Sequence, residues 1–329
     1  MATGPKSTGP KRRGAPIVVA GGANLDIKSR IARRTVAATS NPGLTSTSGG
    51  GVARNIAENL AHLRMPVQLL SVVGEDAAGD RLLVEAREAG IDTRLVMRRA
   101  GATGSYAATM NSRGELLIAV SDMRLIDNLK PRDITRHATA LRGARLLVAD
   151  CNLPPACLAA LARLAVRAKV PLLIDPVSVP KARRLAALLR SGLAVTAVTP
   201  NRDELAALAG FRIVDETSLD RATRLLHRRG VTHVLVGLGA EGCCLSSAGP
   251  GFRWLARLPA AVPPRQVADV TGGGDALVAG FAYGLATGLT ALQACTLGQA
   301  LAARAVRSSR SVATPRAPRT TRLRERARP

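Results

Sequence analysis

The sequence predicts an α/β fold, with a mostly parallel central sheet flanked by helices and a small antiparallel β lid attached. Three observations predict it. Short apolar runs alternate along the chain with amphipathic helical stretches, the rhythm of strands joined by helical crossovers. Residues 27–48 break that rhythm, being polar and rich in Thr and Ser. So do residues 103–121, where the extended runs Ser105–Met110 and Glu115–Val120 flank Asn111-Ser112-Arg113-Gly114, a short Gly-containing turn that marks a hairpin.

In chain order, Ile17 to Ala20 reads as a first buried strand, closed by Gly21 and Gly22. Val52 to Leu63 follows as a helix with Ile56, Leu60 and Leu63 on one face. Val67 to Val73 is a second strand and Asp80 to Ala89 a second helix. Beyond the hairpin, strands are expected at Leu146–Ala149, Pro171–Ile174, Ala194–Val198 and His233–Gly237. Helices fall between them at about 155–168, 181–191, 202–209 and 218–229. Asp275 to Ala286 and Ala291 to Val306 close the fold as two helices, and no internal repeat is visible. The chain thus divides into a disordered basic tail over 1–16, one domain over 17–306 with its lid from about 27–48 and 103–121, and a disordered Arg/Pro-rich tail over 307–329.

Composition narrows the function. The 329 residues are 47% hydrophobic but only 2% aromatic, so the core must be built from Ala, Leu and Val. Few rings are left for stacking on bases. The net charge of +24 invites a nucleic-acid reading, but its distribution weakens it. Lys6, Lys11, Arg12 and Arg13 precede Pro16, and eight arginines against Glu325 follow from Arg307, so the tails carry +11 and the remainder +13. The tails would add non-specific attraction to polyanions, and the rest suits anionic substrates such as nucleotide phosphates. Cys151, Cys157, Cys243, Cys244 and Cys295 make no zinc-type pair and no even disulfide framework, which fits a reduced, cytoplasmic setting. No apolar segment follows the basic N-terminus before Pro16, and no uncharged apolar run reaches the roughly 20 residues of a membrane span, so a soluble protein is expected.

The strongest chemical signal is Asp269-Val270-Thr271-Gly272-Gly273-Gly274-Asp275, directly before an apolar helix. Consecutive glycines let backbone N–H groups turn toward one point, and at a helix N-terminus such groups bind anions. An anion site of this kind suits a phosphoryl group in transfer. Asp275, at the mouth of the turn, can accept a proton from an attacking hydroxyl. Glycines alone would fit a flexible linker with Asp275 as a helix N-cap, and it is their combination with Thr271, Asp275 and the apolar helix that favours the anion site. No GxxxxGK[ST] loop is present. The G-x-G-x-x-G spacing over Gly237 to Gly242 lies late in the chain and precedes the strand-like Cys243–Ser246, which argues against a dinucleotide fold. His62, His137, His227 and His233 are scattered and read as structural or surface residues.

The segment Asp269–Asp275 resembles the C-terminal signature of the PfkB, or ribokinase-like, carbohydrate kinases, DTxGxGD, with Val270 and Gly273 as variations. The resemblance runs from Ile17 to about Val306 and implies a ribokinase-like fold. It implies Asp275 as catalytic base, Gly272, Gly273 and Gly274 as anion hole with Thr271 on the nucleotide side, and Asp269 as a ligand of a monovalent cation, K⁺. Gly50-Gly51-Val52-Ala53-Arg54-Asn55 resembles the family's N-terminal Gly-Gly signature, where glycine lets the backbone approach a sugar and the Asn55 amide can donate and accept. Asn24 and Asp26 match the position that binds a sugar diol; a turn-capping Asp is the alternative. Asn201-Arg202-Asp203-Glu204 resembles the NxxE element that orders Mg²⁺-bound water, and its spacing is equally that of a capping box. Gly237 to Gly242, with Gly239 and Gly242, resembles the nucleotide-side loop.

Within the family, Gly50–Leu63, Thr103–Met123, Ala149-Asp150-Cys151-Asn152 and Asp175-Pro176-Val177-Ser178 are most similar to the pseudouridine kinases. That implies transfer of the ATP γ-phosphate, with Mg²⁺, to the 5′-hydroxyl of the nucleoside, with Asn152 among the substrate contacts. It also implies a homodimer formed through the lid and a separate glycosidase acting on the product. Ser105, Asp122 and Asn152 are candidates for reading the base, and equally hairpin or strand-end polar residues. Other acceptors (ribose, adenosine, a sugar acid), a catalytically dead sugar sensor and a basic nucleic-acid-binding protein on the same scaffold are the rival readings.

Overall fold

A computed structural model describes residues 14–249, 251–263, 266–267 and 272–307. Its main body is a nine-stranded sheet. In chain order the strands are β1 (Ile17–Ala20), β4 (Val67–Gly74), β5 (Asp92–Arg99), β8 (Leu146–Asp150), β9 (Leu172–Asp175), β10 (Val195–Val198), β11 (Val231–Gly237), β12 (Cys243–Gly249) and β13 (Phe252–Leu258). Their spatial order is β13-β12-β11-β10-β9-β8-β1-β4-β5. From β11 through β5 all neighbours run parallel, and β12 and β13 append an antiparallel edge.

The expected strands form because short continuous apolar runs are buried on both faces. Ile17, Val18, Val19 and Ala20 are all buried; Ile17 and Val19 face one layer and Val18 and Ala20 the other, as the two-residue period of a strand requires. On the first face lie α1 (Val52–His62), α10 (Gly273–Thr287) and α11 (Ala291–Ala305). The second face carries α6 (Pro155–Ala168), α7 (Val179–Arg190), α8 (Arg202–Ala209) and α9 (Glu216–Arg228). The short α3 (Arg124–Asp127), α4 (Pro131–Thr135) and α5 (Ala138–Gly143) also cover it, and α2 (Ala77–Glu88) packs beside β4. As the composition requires, the core is mainly Ala, Leu, Val and Ile, with Phe281 its bulkiest fully buried side chain.

Small residues bring α10 and α11 into backbone contact. A Cβ on Gly280 would lie 2.5 Å from the Gly298 Cα, and one on Gly284 2.5 Å from the Ala294 Cβ.

A second, four-stranded sheet stands apart, with the order β3-β2-β6-β7. It is made of β2 (Asn24–Ile31), β3 (Gly43–Gly50), β6 (Ser105–Met110) and β7 (Leu116–Asp122). The hairpin expected over 105–120 is present as β6–β7, and the polar stretch after β1 forms the antiparallel pair β2–β3. The two hairpins meet through a parallel pairing of β2 with β6. Thr103 roots this sheet in the body. Its hydroxyl donates to Asp76 Oδ1 at 2.5 Å, its amide donates to Asp76 Oδ2 at 2.8 Å, and the hydroxyl accepts from the Gly74 amide. Asp76 also caps α2 by accepting from the Gly79 amide.

Elements the pattern did not announce are edges or short pieces. β5 and β13 are edge strands carrying arginines on exposed positions, and α3 to α5 are each too short to show a period. Among the described residues no helix is long and apolar enough to cross a membrane.

Candidate active site

Parallel strands deliver their carboxyl ends to one edge, and ligands of open α/β sheets bind outside that edge. The ends of β1, β8, β9, β10 and β11 lie there side by side. Asn152, Asn201 and the loop over 238–242 directly follow β8, β10 and β11 there.

Asn24 and Asp26 open β2 just beyond β1, and Asn24 Nδ2 donates to Asp26 Oδ1 at 2.7 Å. Gly50 pairs across the small sheet with Asn24, and a Cβ at Gly50 would run into the Asp26 carboxylate. Gly51 follows at φ 98°, a left-handed backbone that favours glycine, and a side chain there would collide with the Gly22 carbonyl. The Gly-Gly pair is therefore required by a close approach of two backbones around Asp26. Four residues on, Asn55 is buried on α1, and its Nδ2 donates to Asp275 Oδ2 at 2.8 Å. Among the described residues its Oδ1 is buried without a partner, an acceptor that could take a hydroxyl donor.

Asp275 lies in the first turn of α10. The expected triple-glycine bend ahead of a helix starting at Asp275 is tighter than the sequence suggested. Gly272 is the N-cap at φ 80°, while Gly273 and Gly274 are already helical. The first intrahelical bond of the turn runs from the Ala276 amide to the Gly272 carbonyl, so the amides of Gly273, Gly274 and Asp275 precede the helix's own acceptors. Burial pushes the Asp275 carboxyl up to about 7; Asn55 opposes this by donation, and the charges of Asp150 and Asp26 add to it. Burial likewise raises Asp26. Asp269 and Thr271 lie outside the described residues.

On the other side, Asn201 and Glu204 form a full capping box at the start of α8. The Asn201 side chain accepts from the Glu204 amide at 2.8 Å, and Glu204 Oε2 accepts from the Asn201 amide at 2.9 Å. The capping reading of this segment is thus realised in the structure. Gly237 donates its amide to the Pro200 carbonyl, which sets the Leu238–Gly242 loop against this box. Gly239 takes φ 60°, and Gly242 at φ 92° packs against the Leu258 carbonyl too closely for a side chain. The other base-reading candidates are differently placed. Ser105 sits opposite Asp122 at the root of the β6–β7 hairpin, while the Asp122 carboxylate is held by Arg124 Nη2 at 2.6 Å. Asn152 lies beyond β8, with its Oδ1 accepting from Lys181 Nζ. Two of the four histidines make structural contacts: His227 binds the Val231 carbonyl and Ser246, and His233 binds Ser247.

Two further carboxylates complete this edge. Asp150 and Asp175 end β8 and β9, and burial raises both. Asp175 accepts from the Thr199 hydroxyl at 2.8 Å, and its affinity for a proton is raised further by the charges of Glu204 and Asp275. Next to it, Val177 is held at φ 68°, uncommon for a β-branched residue and a mark of local strain beside a site. The available signal was an apolar strand that ends on aspartate, Leu-Leu-Val-Ala-Asp and Leu-Leu-Ile-Asp. Among the described residues no three His, Cys, Asp or Glu side chains converge on a metal position.

A buried carboxylate at a helix N-terminus, beside a cradle of Asn and Asp side chains, suits a phosphotransferase with an alcohol acceptor. Comparison with known proteins gives the family: the pfkB family carbohydrate kinase profile matches residues 17–317. The chain belongs to the pfkB family of carbohydrate kinases. It is 31% identical over 268 residues to the pseudouridine kinase of Escherichia coli strain K12, covering 81% of this chain and 82% of that one. An uncharacterized sugar kinase, YeiI, of the same organism is 33% identical over 273 residues, covering 82% and 72%. The Arabidopsis thaliana ribokinase solved with ribose and ATP superposes with a TM-score of 0.76 at 24% identity, over 90% of this chain and 94% of that one. The fold is ribokinase-like.

Proposed function

We propose that the chain transfers the γ-phosphate of ATP to the 5′-hydroxyl of pseudouridine, giving pseudouridine 5′-phosphate, with Asp275 as general base. The carrying observation is the Asn55–Asp275 pair. A carboxylate whose proton affinity sits near neutrality is oriented by an amide beside the start of α10. In this reading Asn24, Asp26, Gly50, Gly51 and Asn55 hold the ribose, Asn152 adds a contact to the nucleoside, and Asp275 takes the hydroxyl proton as the oxygen attacks. The amides of Gly272, Gly273 and Gly274 bind the equatorial oxygens of the phosphoryl group in flight. ATP with Mg²⁺ supplies that group. The residues suit it: Asp175 and Glu204 are neighbouring carboxylates with raised proton affinity, and water bound to a cation would relieve both. Asn201, Glu204, Gly239, Gly242 and Thr271 form the nucleotide side, and Asp269 holds K⁺.

Similarity to the pseudouridine kinase supports the nucleoside, and the comparable similarity to YeiI makes a sugar the rival. ADP release with pseudouridine, uridine, adenosine, ribose and a sugar acid decides between them. Pseudouridine is expected to give the highest kcat/KM by at least tenfold, and a higher value with ribose overturns the nucleoside reading. Replacing K⁺ by Na⁺ in the same assay tests the cation site.

The small sheet serves in this reading as lid and as dimer contact. Its edge strand β7 exposes Leu116, Ile118 and Val120 on one face, and β3 exposes Leu44, an apolar patch that a second copy would cover. A monomer mass in solution would end the dimer proposal. The product keeps its C–C glycosidic bond, so a separate glycosidase is the pathway partner, and a reduced cytoplasm is the setting.

A further inference from the structure

Asp150 lies at the end of β8, fully buried. Its carboxylate accepts backbone amides from separate parts of the chain: Gly22 N to Oδ2 at 2.9 Å, Ala53 N to Oδ2 at 2.8 Å, and Asn152 N to Oδ1 at 2.8 Å. The Gly22 and Ala53 contacts reach across 128 and 97 residues of sequence. The backbone closes so tightly here that a Cβ on Gly21 would overlap the carboxylate. The Asn152 side chain lies against Asp150 as well, while its Oδ1 accepts from Lys181 Nζ in the first turn of α7. Lys181 therefore fixes which way the Asn152 amide faces, with its nitrogen turned toward Asp150 and Gly22.

Each amide that Asp150 holds opens a segment of the acceptor side. Gly22 leads into Asn24 and Asp26. Ala53 begins the helix on which Asn55 grips Asp275. One carboxylate oxygen, Oδ2, satisfies both while Oδ1 takes the Asn152 amide, and an amide of the same shape could not serve all three, since its nitrogen would face an N–H donor. We propose that Asp150 is a positioning residue for the acceptor side of the site, splicing the bend after β1 to the start of α1, and that Lys181 completes the splice by orienting Asn152. This rests on the reading of that side as the acceptor pocket, and adds residues that touch neither the reacting atoms nor the nucleotide.

Asp150→Asn and Lys181→Met test it in the full chain by two readouts. The first needs no acceptor: in Asp150→Asn, amide hydrogen exchange over residues 21–24 and 51–55 accelerates by about tenfold or more while α8 and β11 keep their protection, as expected when a neutral amide that cannot serve all three donors replaces the buried carboxylate. The second is kinetic, with whichever acceptor of the panel turns over best. The acceptor KM rises by about tenfold in Asp150→Asn and about threefold in Lys181→Met, with the ATP KM changed less than twofold. Unchanged protection in those two segments, or acceptor and ATP KM rising together, overturns the proposal. Should Asp150→Asn fail to fold, Lys181→Met decides alone, and an unchanged acceptor KM or unchanged exchange at 151–153 in that variant sinks it. Should no acceptor turn over in the wild type, the nucleoside reading fails and the exchange measurement still judges the splice.

Discussion

At the scale of single residues, the proposed chemistry turns on how burial acts on Asp275. Its carboxyl is pushed up to about 7, so the proton-accepting form is present only above that value. The expected profile of kcat/KM against pH has an acid limb of one proton near pH 7, and a limb below pH 5 would remove Asp275 as base. Asp275→Asn is expected to lower kcat by roughly 10²–10⁴ with little change in nucleotide affinity. The sign of the stability effect runs the other way. A carboxyl whose folded pKa is raised favours the native state while protonated, and that contribution is lost as pH rises through about 7. Asp275→Asn should therefore melt at the same or a higher temperature than wild type at pH 8, a pairing of lost turnover with retained stability that calorimetry can read. Asp275, Asn55 and Asp26 were legible in the sequence because each sits in a short motif whose spacing is local. The contacts of Asp150 were not, because it gathers amides from the bend after β1, from α1 and from its own loop, which no spacing records.

At the scale of elements, the buried strands were readable and the exposed ones were not. β1, β8, β9, β10 and β11 are apolar runs in a two-sided layer, whereas β3 is a polar, mostly exposed strand without alternation and the alternation of β2, Leu25, Ile27 and Ile31, is interrupted at Ser29. Helix starts were placed within a few residues, the offset at α2 arising because its cap is Asp76 rather than Asp80. That cap has a second duty. Asp76 holds Thr103, where the small sheet joins the body, so one side chain both starts a helix and roots the lid. Asp76→Ala is expected to destabilise by about 1–3 kcal/mol in urea unfolding, combining a lost cap with buried donors left unpaired. An effect under about 0.5 kcal/mol would show that the root is held elsewhere.

For the whole molecule, charge is split between tails and body. Of the +24, +11 lies in the segments before Pro16 and after Val306, which are densest in charge, and +13 is spread over the rest. Removal of 1–15 and 307–329 is expected to abolish salt-dependent binding to polynucleotides and leave ATP turnover unchanged. Polynucleotide binding that survives the deletion with an undiminished salt slope would return the nucleic-acid reading.

The contact between α10 and α11 has a consequence for how this enzyme can vary. Gly280 and Gly284 rest on Gly298 and Ala294 with no intervening side chain to yield. A methyl group added along that seam must be accommodated by displacing a rigid rod, and the rod's far tip carries Asp275, the base of the proposed reaction, five residues from Gly280. Mutational drift on this concealed, non-catalytic seam would thus be felt first as misaimed proton transfer and only afterwards as loss of fold.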